Sequence, residues 1–211
     1  MFGTDERNAV MLAVDLVNTE ARMAGRDLLA EPGVLRRLSQ GRGYTLEPTG
    51  TPAELQEAYA LRRLLATVVQ DPVSDSSVAL INHILLSSGS VPQLAIHPGH
   101  TGLAGARGLH LHYSAEHASF MNRFSAHCAM GLAQLIAAGE EARLKECAAP
   151  TCHRQFLDLS RNSSRRYCDS RACGNRLHAA QYRARQSARQ RPQEDGTSTN
   201  HRGAGATQAT P

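Results

Sequence analysis

The sequence predicts a mainly α-helical protein with a few short β-strands, an α+β fold. A helical N-terminal domain is expected to precede a small cysteine-rich module and a basic helix. Apolar residues recur at helical spacing along much of the first 139 residues. Two short segments between residues 93 and 113 alternate apolar and polar residues, as strands do. Four of the five cysteines form two pairs between residues 147 and 173.

The first two helices are expected over residues 8–19 and around Val34–Leu38. The unbroken apolar run from Ala9 to Val14 fits a buried helix or a buried strand, and we favour the helix. Glycines and prolines surround Val34–Leu38, so this second helix is predicted to be short.

The clearest helix start lies at Thr51, which is placed to cap a helix over residues 51–70. Glu54 follows three residues later and completes the capping-box spacing. A further helix is expected over residues 75–87, with Asp75 or Ser76 as its cap.

Two strands, forming a hairpin, are expected next. Leu94 and Ile96 alternate with polar or small residues in the first strand, and Leu109, Leu111 and Tyr113 alternate with histidines in the second. Since alternate residues of a strand face opposite sides, His110 and His112 are predicted to lie on its solvent face.

A long amphipathic helix is predicted over residues 115–139. Its apolar stripe comprises Phe120, Phe124, Cys128, Leu132, Leu135 and Ile136. Cys128 is therefore interpreted as a small buried hydrophobic residue.

The charge is distributed unevenly along the chain. Residues 1–142 carry a net charge of −4, whereas residues 143–191 carry +9. A basic block attached to a mildly acidic body favours a polyanionic partner for that block. From Pro192 onward the chain has almost no apolar residues, so residues 191–211 are predicted to be a disordered tail.

No apolar run approaches the roughly 20 residues that a membrane-spanning helix requires. The N-terminus also lacks the basic stretch and apolar run of a signal peptide. We therefore expect a cytoplasmic protein with no membrane partner.

The paired cysteines predict one structural zinc ion per chain. Cys147 and Cys152 form one pair and, after fifteen intervening residues, Cys168 and Cys173 form the other. Two short-gap pairs at this separation fit a four-thiolate zinc site. Buried single cysteines, disulfides, a redox pair and an iron–sulfur cluster are weaker alternatives, and His153 is a weaker candidate for replacing one ligand.

Arginines surround this predicted site and are candidates for nucleic-acid contacts. Arg165 and Arg166 lie between the cysteine pairs and are interpreted as phosphate contacts. Arg176 and Arg183 share one face of the following predicted helix and are interpreted as base-reading residues, and Arg185 lies on a neighbouring face. A solvated surface, or neutralisation of the thiolates, is the alternative role for these arginines.

The segment from Cys147 to about residue 186 resembles the CGNR zinc finger, named for Cys173-Gly174-Asn175-Arg176. Tyr167 stands where that family usually has Trp. The stretch from Val14 to Thr19 and the Leu61-Arg62-Arg63 segment resemble the ABATE domain of stress-induced transcription regulators. The resemblance implies a bacterial regulator with a sensing or dimerising domain at residues 1–142 and a DNA-binding zinc finger with its basic helix at residues 143–190.

Three polar residues of the ABATE-like stretch are candidates for an effector pocket. Asp15, Asn18 and Thr19 share one face if this segment is helical, and they would line a ligand site there. The alternative is that they make local backbone bonds at a helix end. The effector itself is not identified by the sequence, and homodimerisation is a possibility that the resemblance raises.

Two rival functions are weaker than DNA binding. A zinc-stabilised module that binds an acidic protein or RNA would use the same arginines. An enzyme would have to use histidines such as His97, His100, His110, His112 and His117. The sequence contains no two-histidine zinc motif, phosphate loop or nucleophile elbow, so we do not expect an enzyme.

Overall fold

The computed structural model describes residues 3–20, 25–44, 47–96, 109–115, 117–168, 173–174, 179, 182–183 and 186, with the backbone alone at residues 109 and 110. Within this part the fold is mainly helical with four short strands, as predicted. The helices are α1 (Thr4–Val17), α2 (Val34–Gly41), α3 (Pro52–Gln70), α4 (Asp75–Ser87) and α5 (Phe120–Ala137). Short 3-10 turns occupy Leu28–Ala30 and Glu141–Arg143. No helix in the described ranges is long and apolar enough to cross a membrane.

Helix α1 lies at the centre of the fold, which explains why its apolar run has no polar face. Seven of its residues are buried, because α5, α3 and β4 all pack against it. Gly131 of α5 permits the closest approach: a Cβ there would lie 2.7 Å from the Cβ of Ala9 and 2.8 Å from the backbone nitrogen of Val10. The helix predicted over residues 8–19 is confirmed, with its ends at Thr4 and Val17.

The helix caps follow the sequence at α3 and differ at α4 and α5. Thr51 accepts a bond from the backbone N–H of Glu54, as predicted. The second half of the predicted capping box is shifted, because the Glu54 carboxylate accepts from the N–H groups of Thr49 and Gly50, at 3.2 and 2.8 Å. Helix α4 is capped by Ser74, which accepts from the N–H of Ser77, so the prediction of Asp75 or Ser76 was wrong by one or two residues. Helix α5 begins at Phe120 rather than at residue 115, because Ser119 caps it. Its predicted apolar stripe faces the core, and Cys128 is fully buried.

Strands β1 (Gln93–Ile96) and β2 (Leu109–His112) pair antiparallel, which confirms the predicted strands. Their orientation was not predicted correctly. Leu94 and Leu111 are 70% and 45% exposed, whereas His112 is half-buried. Alternation marks the two faces of a ribbon but does not identify the inner one, and among the described residues these two strands contact mainly each other. The side chain of His110 lies outside the described part.

Strands β3 (Leu144–Glu146) and β4 (Gln155–Leu157) form a second antiparallel pair at the start of the cysteine-rich module. All three residues of β4 are buried, and Leu157 joins the main hydrophobic core. The module is therefore attached to the helical body through β4. The predicted boundaries at residues 142 and 190 stay predictions.

Little of the C-terminal region is described. Ala179, Tyr182, Arg183 and Gln186 have helical backbone, and Gln186 donates to the Tyr182 hydroxyl at 3.1 Å. The tail predicted at residues 191–211 lies outside the described residues.

Candidate metal centre and nucleic-acid interface

The first cysteine pair lies in the turn that joins β3 to β4. Cys147 follows β3 directly, and its N–H donates to the carbonyl of Arg154 at 2.9 Å. The N–H of Cys152 donates to the carbonyl of Ala149 at 2.9 Å, which closes a tight turn. This turn directs both sulfurs to the same side of the hairpin.

The second pair is brought to the first by backbone bonds. The N–H of Ala148 donates to the carbonyl of Arg166 at 2.8 Å. The N–H of Cys168 then donates to the Cys147 sulfur at 3.4 Å. Cysteines separated by 21 positions in sequence thus meet because the intervening loop returns to the turn.

The four sulfurs form a compact cluster with the dimensions of a zinc site. The Sγ atoms of Cys147, Cys152, Cys168 and Cys173 all lie within 4.8 Å of one another, and no disulfide joins them. The separations from Cys168 to Cys152 and Cys173 are 3.7 and 3.8 Å. A tetrahedron with zinc–sulfur bonds of about 2.3 Å has edges of about 3.8 Å. The donor set and its geometry therefore fit one structural zinc, held by these four residues.

Electrostatics of the cluster also favour a divalent cation. Burial raises the pKa of Cys168, and the three neighbouring sulfurs raise it further. Burial acts in the same direction on Cys147, but N–H donors from Cys168 and Ala149 outweigh it, so the pKa of Cys147 lies below its usual value. Crowded thiols resist full ionisation, and a bound divalent metal removes that penalty.

A buried ion pair supports the loop between the two cysteine pairs. The Asp158 carboxylate is completely buried and accepts from the Lys145 ammonium at 2.8 Å and the Arg165 N–H at 2.7 Å. It also accepts from the N–H and hydroxyl of Ser160, at 2.9 and 2.6 Å. Burial alone would raise the pKa of Asp158, but these bonds, led by that from Lys145, hold it well below its usual range. The single lysine of the chain thus organises the arginine-bearing loop, a role that the sequence did not indicate.

The arginines of this region fall into two groups. The Arg165 guanidinium donates to the carbonyl of Cys168 at 2.9 Å and lies 5.5 Å from the centre of the Phe156 ring, so it helps to hold the third predicted zinc ligand. Arg166 and Arg183 are exposed, and so is Arg161, which the sequence analysis did not select. Arg176 and Arg185 lie outside the described residues. Asp158 contributes no exposed charge beside these arginines.

Family comparisons give the two parts of the chain their identities. Residues 11–139 match the ABATE model, described as "Putative stress-induced transcription regulator". The chain belongs to the ABATE family. Residues 143–186 match the CGNR zinc finger. No curated protein matches the chain.

The ABATE domain contains a cavity of about 430 Å³ beside the zinc finger. Asp15, Asn18 and Thr19 line it, together with residues of the first 3-10 turn, of α2 and Arg154 of the finger. Asp15 pairs with Arg42 at 2.5 Å. Burial raises the pKa of Asp15, while Arg42 and Arg154 oppose that shift. All three predicted pocket residues thus line the same cavity.

The other two predicted pocket residues have internal partners. The Asn18 amide donates to the carbonyl of Gln155 at 2.8 Å and accepts from the N–H of Gln155 at 2.9 Å. The Thr19 hydroxyl donates to the carbonyl of Leu16 and accepts from Arg62 at 3.1 Å. Asn18 thus clamps β4 of the zinc finger onto α1, across 137 sequence positions.

Arg62 anchors this region from α3 and was not selected from the sequence. Its guanidinium binds both oxygens of Asp27, at 2.8 and 2.7 Å, and lies 5.0 Å from the centre of the Tyr59 ring. The Leu61-Arg62-Arg63 segment that resembles the ABATE family therefore has a structural reason: its buried arginine ties α3 to the end of α1. Among the described residues, the four cysteines are the one group of three or more metal-ligating side chains that converges.

Proposed function

We propose that this protein is a zinc-dependent, DNA-binding transcription regulator of the bacterial cytoplasm that acts in stress responses, and not an enzyme. The observation that carries the proposal is an arginine-bearing loop fixed to the four-thiolate site. Arg161 and Arg166 of this loop are exposed. The buried Asp158 carboxylate accepts from the backbone N–H of Arg165 and from Lys145, which fixes the loop backbone. The ABATE description adds transcription regulation, and four sulfur ligands leave no open metal position for catalysis.

Arg166 is a better probe of phosphate contact than Arg165. It is exposed, whereas Arg165 is half-buried and holds Cys168. Arg166→Ala should weaken binding to all duplexes about equally and lower the salt slope by about one. Arg176→Ala combined with Arg183→Ala should instead relax sequence preference, at a cost of roughly 1–3 kcal/mol per base-reading contact.

Zinc-loaded full-length protein is the form to test, and Arg63→Ala is the matched control. Arg63 is an exposed arginine of α3, far in sequence from the zinc finger. If the Arg166 and Arg63 variants bind duplex DNA equally, with unchanged salt dependence, the loop is not the interface. Retention of single-stranded RNA in place of duplex DNA would favour the RNA-binding alternative, and retention of neither would favour a protein partner.

We also propose that a second copy of the chain covers the outer face of the β1–β2 ribbon. Leu94, Ile96 and Leu111 are 70%, 53% and 45% exposed on this ribbon. Residues 91–96 and 109–115 include no Asp, Glu, Lys or Arg. A neutral apolar face has no charge with which to select an acidic or basic partner, but it is complementary to itself across a two-fold axis.

The test is sedimentation of Leu94→Lys combined with Leu111→Lys, compared with Leu86→Lys. Leu86 is 82% exposed on α4 and lies outside the ribbon. We expect a dimer for the wild-type and Leu86 proteins and a monomer for the double variant. A wild-type monomer at micromolar concentration would overturn this part of the proposal.

A further inference from the structure

The cavity between the ABATE domain and the zinc finger is lined by three apolar side chains and by charged side chains at its rim. Leu28, Val34 and Leu38 form the apolar walls. Asn18 and Thr19 contribute polar atoms that already have partners, so their groups shape the cavity without being free to bind. A volume of about 430 Å³ is in the range of small-ligand sites, about 300–1,000 Å³.

The acidic side chains of the rim are each paired. Asp15 bonds to Arg42, at 2.5 and 2.6 Å. Glu31 pairs with Arg26 at 2.6 Å through one oxygen and with Arg37 at 3.4 Å through the other. The carboxylates therefore do not leave the cavity with a strong uncompensated negative charge.

Arg154 is the rim cation that remains. Its side chain is half-buried, and its guanidinium makes no hydrogen bond or ion pair within the described ranges. Its residual interaction there is electrostatic, with Asp15. Arg154 lies between Cys152, a predicted zinc ligand, and Gln155, whose backbone Asn18 clamps. A ligand held by Arg154 would contact both the finger and the helical body.

From this arrangement we infer that the cavity binds a small amphipathic carboxylate, with its anionic group on Arg154 and its apolar body against Leu28, Val34 and Leu38. Arginine matches a carboxylate with two parallel hydrogen bonds. The apolar walls select a short hydrocarbon or aromatic body over a strongly polar one. The bound molecule bridges α2 and the zinc finger and is thus placed to act as an effector, a role that rests on the proposed function.

Binding is measured on the full zinc-loaded protein without DNA, so its result is independent of DNA binding. Benzoate and hexanoate are the probes, with benzamide and hexanol as neutral analogues of similar shape. Nitrogen–proton correlation spectra follow the backbone signals of Val34, Leu38 and Arg154 during titration. We expect saturable shifts at these positions for at least one carboxylate, and weaker binding of its neutral analogue.

Two arginine variants separate the site from a general charge effect. Arg154→Ala should raise the dissociation constant about tenfold or more, because a charged hydrogen-bonded pair is lost. Arg36→Ala is the control, since Arg36 lies on α2 outside the cavity lining and pairs with Glu47. The inference is overturned if neither carboxylate gives saturable shifts at millimolar concentration, if the neutral analogues bind equally well, or if the Arg154 and Arg36 variants bind alike.

Discussion

Replacing Asn18 with alanine should weaken the attachment of the zinc finger to the helical body. The change removes both bonds to the Gln155 backbone, at 2.8 and 2.9 Å, where Asn18 and Gln155 are each only 4% exposed. Each buried group left without a partner costs about 1–3 kcal/mol, and water entering the vacated space recovers part of that. We therefore expect the free energy of unfolding to fall by about 2–4 kcal/mol.

Asn18→Asp sharpens this prediction. The carboxylate still accepts from the N–H of Gln155 but faces its carbonyl without a donor, so a loss at least as large as that of the alanine variant is expected. The assay is urea unfolding of zinc-loaded protein, together with hydrogen exchange at Gln155. Asn82→Ala is the control, because Asn82 is exposed in the middle of α4. Equal stability of Asn18→Ala and Asn82→Ala, with Gln155 equally protected in both, would show that the Asn18 bonds do not hold β4.

Three further predictions test the packing and the metal site. When zinc is removed by a chelator, the amides of residues 160–168 should lose protection from hydrogen exchange before those of β4, because Asn18 and the burial of Leu157 hold β4. Simultaneous loss of protection in both segments would contradict this. Gly131→Ala should lower the free energy of unfolding by about 1–3 kcal/mol, because the added methyl group overpacks against α1. Gly41 has open space around it, so Gly41→Ala should leave the free energy of unfolding unchanged or raise it by up to about 1 kcal/mol. Burial lowers the pKa of His127. Below about pH 6.5 the unfolded chain therefore binds a proton that the folded chain does not, and the free energy of unfolding should fall as the pH falls. His127→Phe should make the free energy of unfolding, measured in urea, depend less on pH between pH 7 and 5.5, and an unchanged pH dependence would contradict this.

The convergence of the four cysteine sulfurs is the part of the site that sequence spacing predicts best. The short gap within each cysteine pair forces two sulfurs to the same side of a tight turn, and two such pairs fit a four-thiolate metal site. The helices were predicted for a similar reason, since apolar periodicity and caps such as Thr51 act over a few residues. Their ends are harder to predict because neighbouring residues can each serve as the cap, as Ser74, Asp75 and Ser76 could at the start of α4.

Long-range partners could not be predicted from local pattern. Asn18 was a candidate pocket residue on its own helix, but its partner Gln155 lies 137 positions away. Asp158 and Lys145 gain their roles only when the loop closes around them. The ribbon illustrates the same point, because the alternation of Leu111 and His112 defines two faces without showing which of them is exposed.

Arg165 and Arg166 are neighbours in sequence, but their side chains have different surroundings. Sequence position placed Arg165 and Arg166 together as phosphate contacts, yet only Arg166 is exposed. Its neighbour instead donates to the Cys168 carbonyl and lies over the Phe156 ring. The difference depends on the side of the loop from which each side chain leaves. The buried Asp158 fixes the direction of the loop there by accepting from the backbone N–H of Arg165.

Selection of bound duplexes from a random library tests the central claim most directly. The zinc-loaded full-length protein is compared with the same protein after chelation and with the Arg176→Ala, Arg183→Ala double variant. We expect an enriched sequence motif for the zinc-loaded protein, its loss after chelation, and relaxed sequence preference in the double variant. Absence of duplex retention by the zinc-loaded protein, or an identical motif recovered from the chelated protein, would contradict zinc-dependent DNA binding.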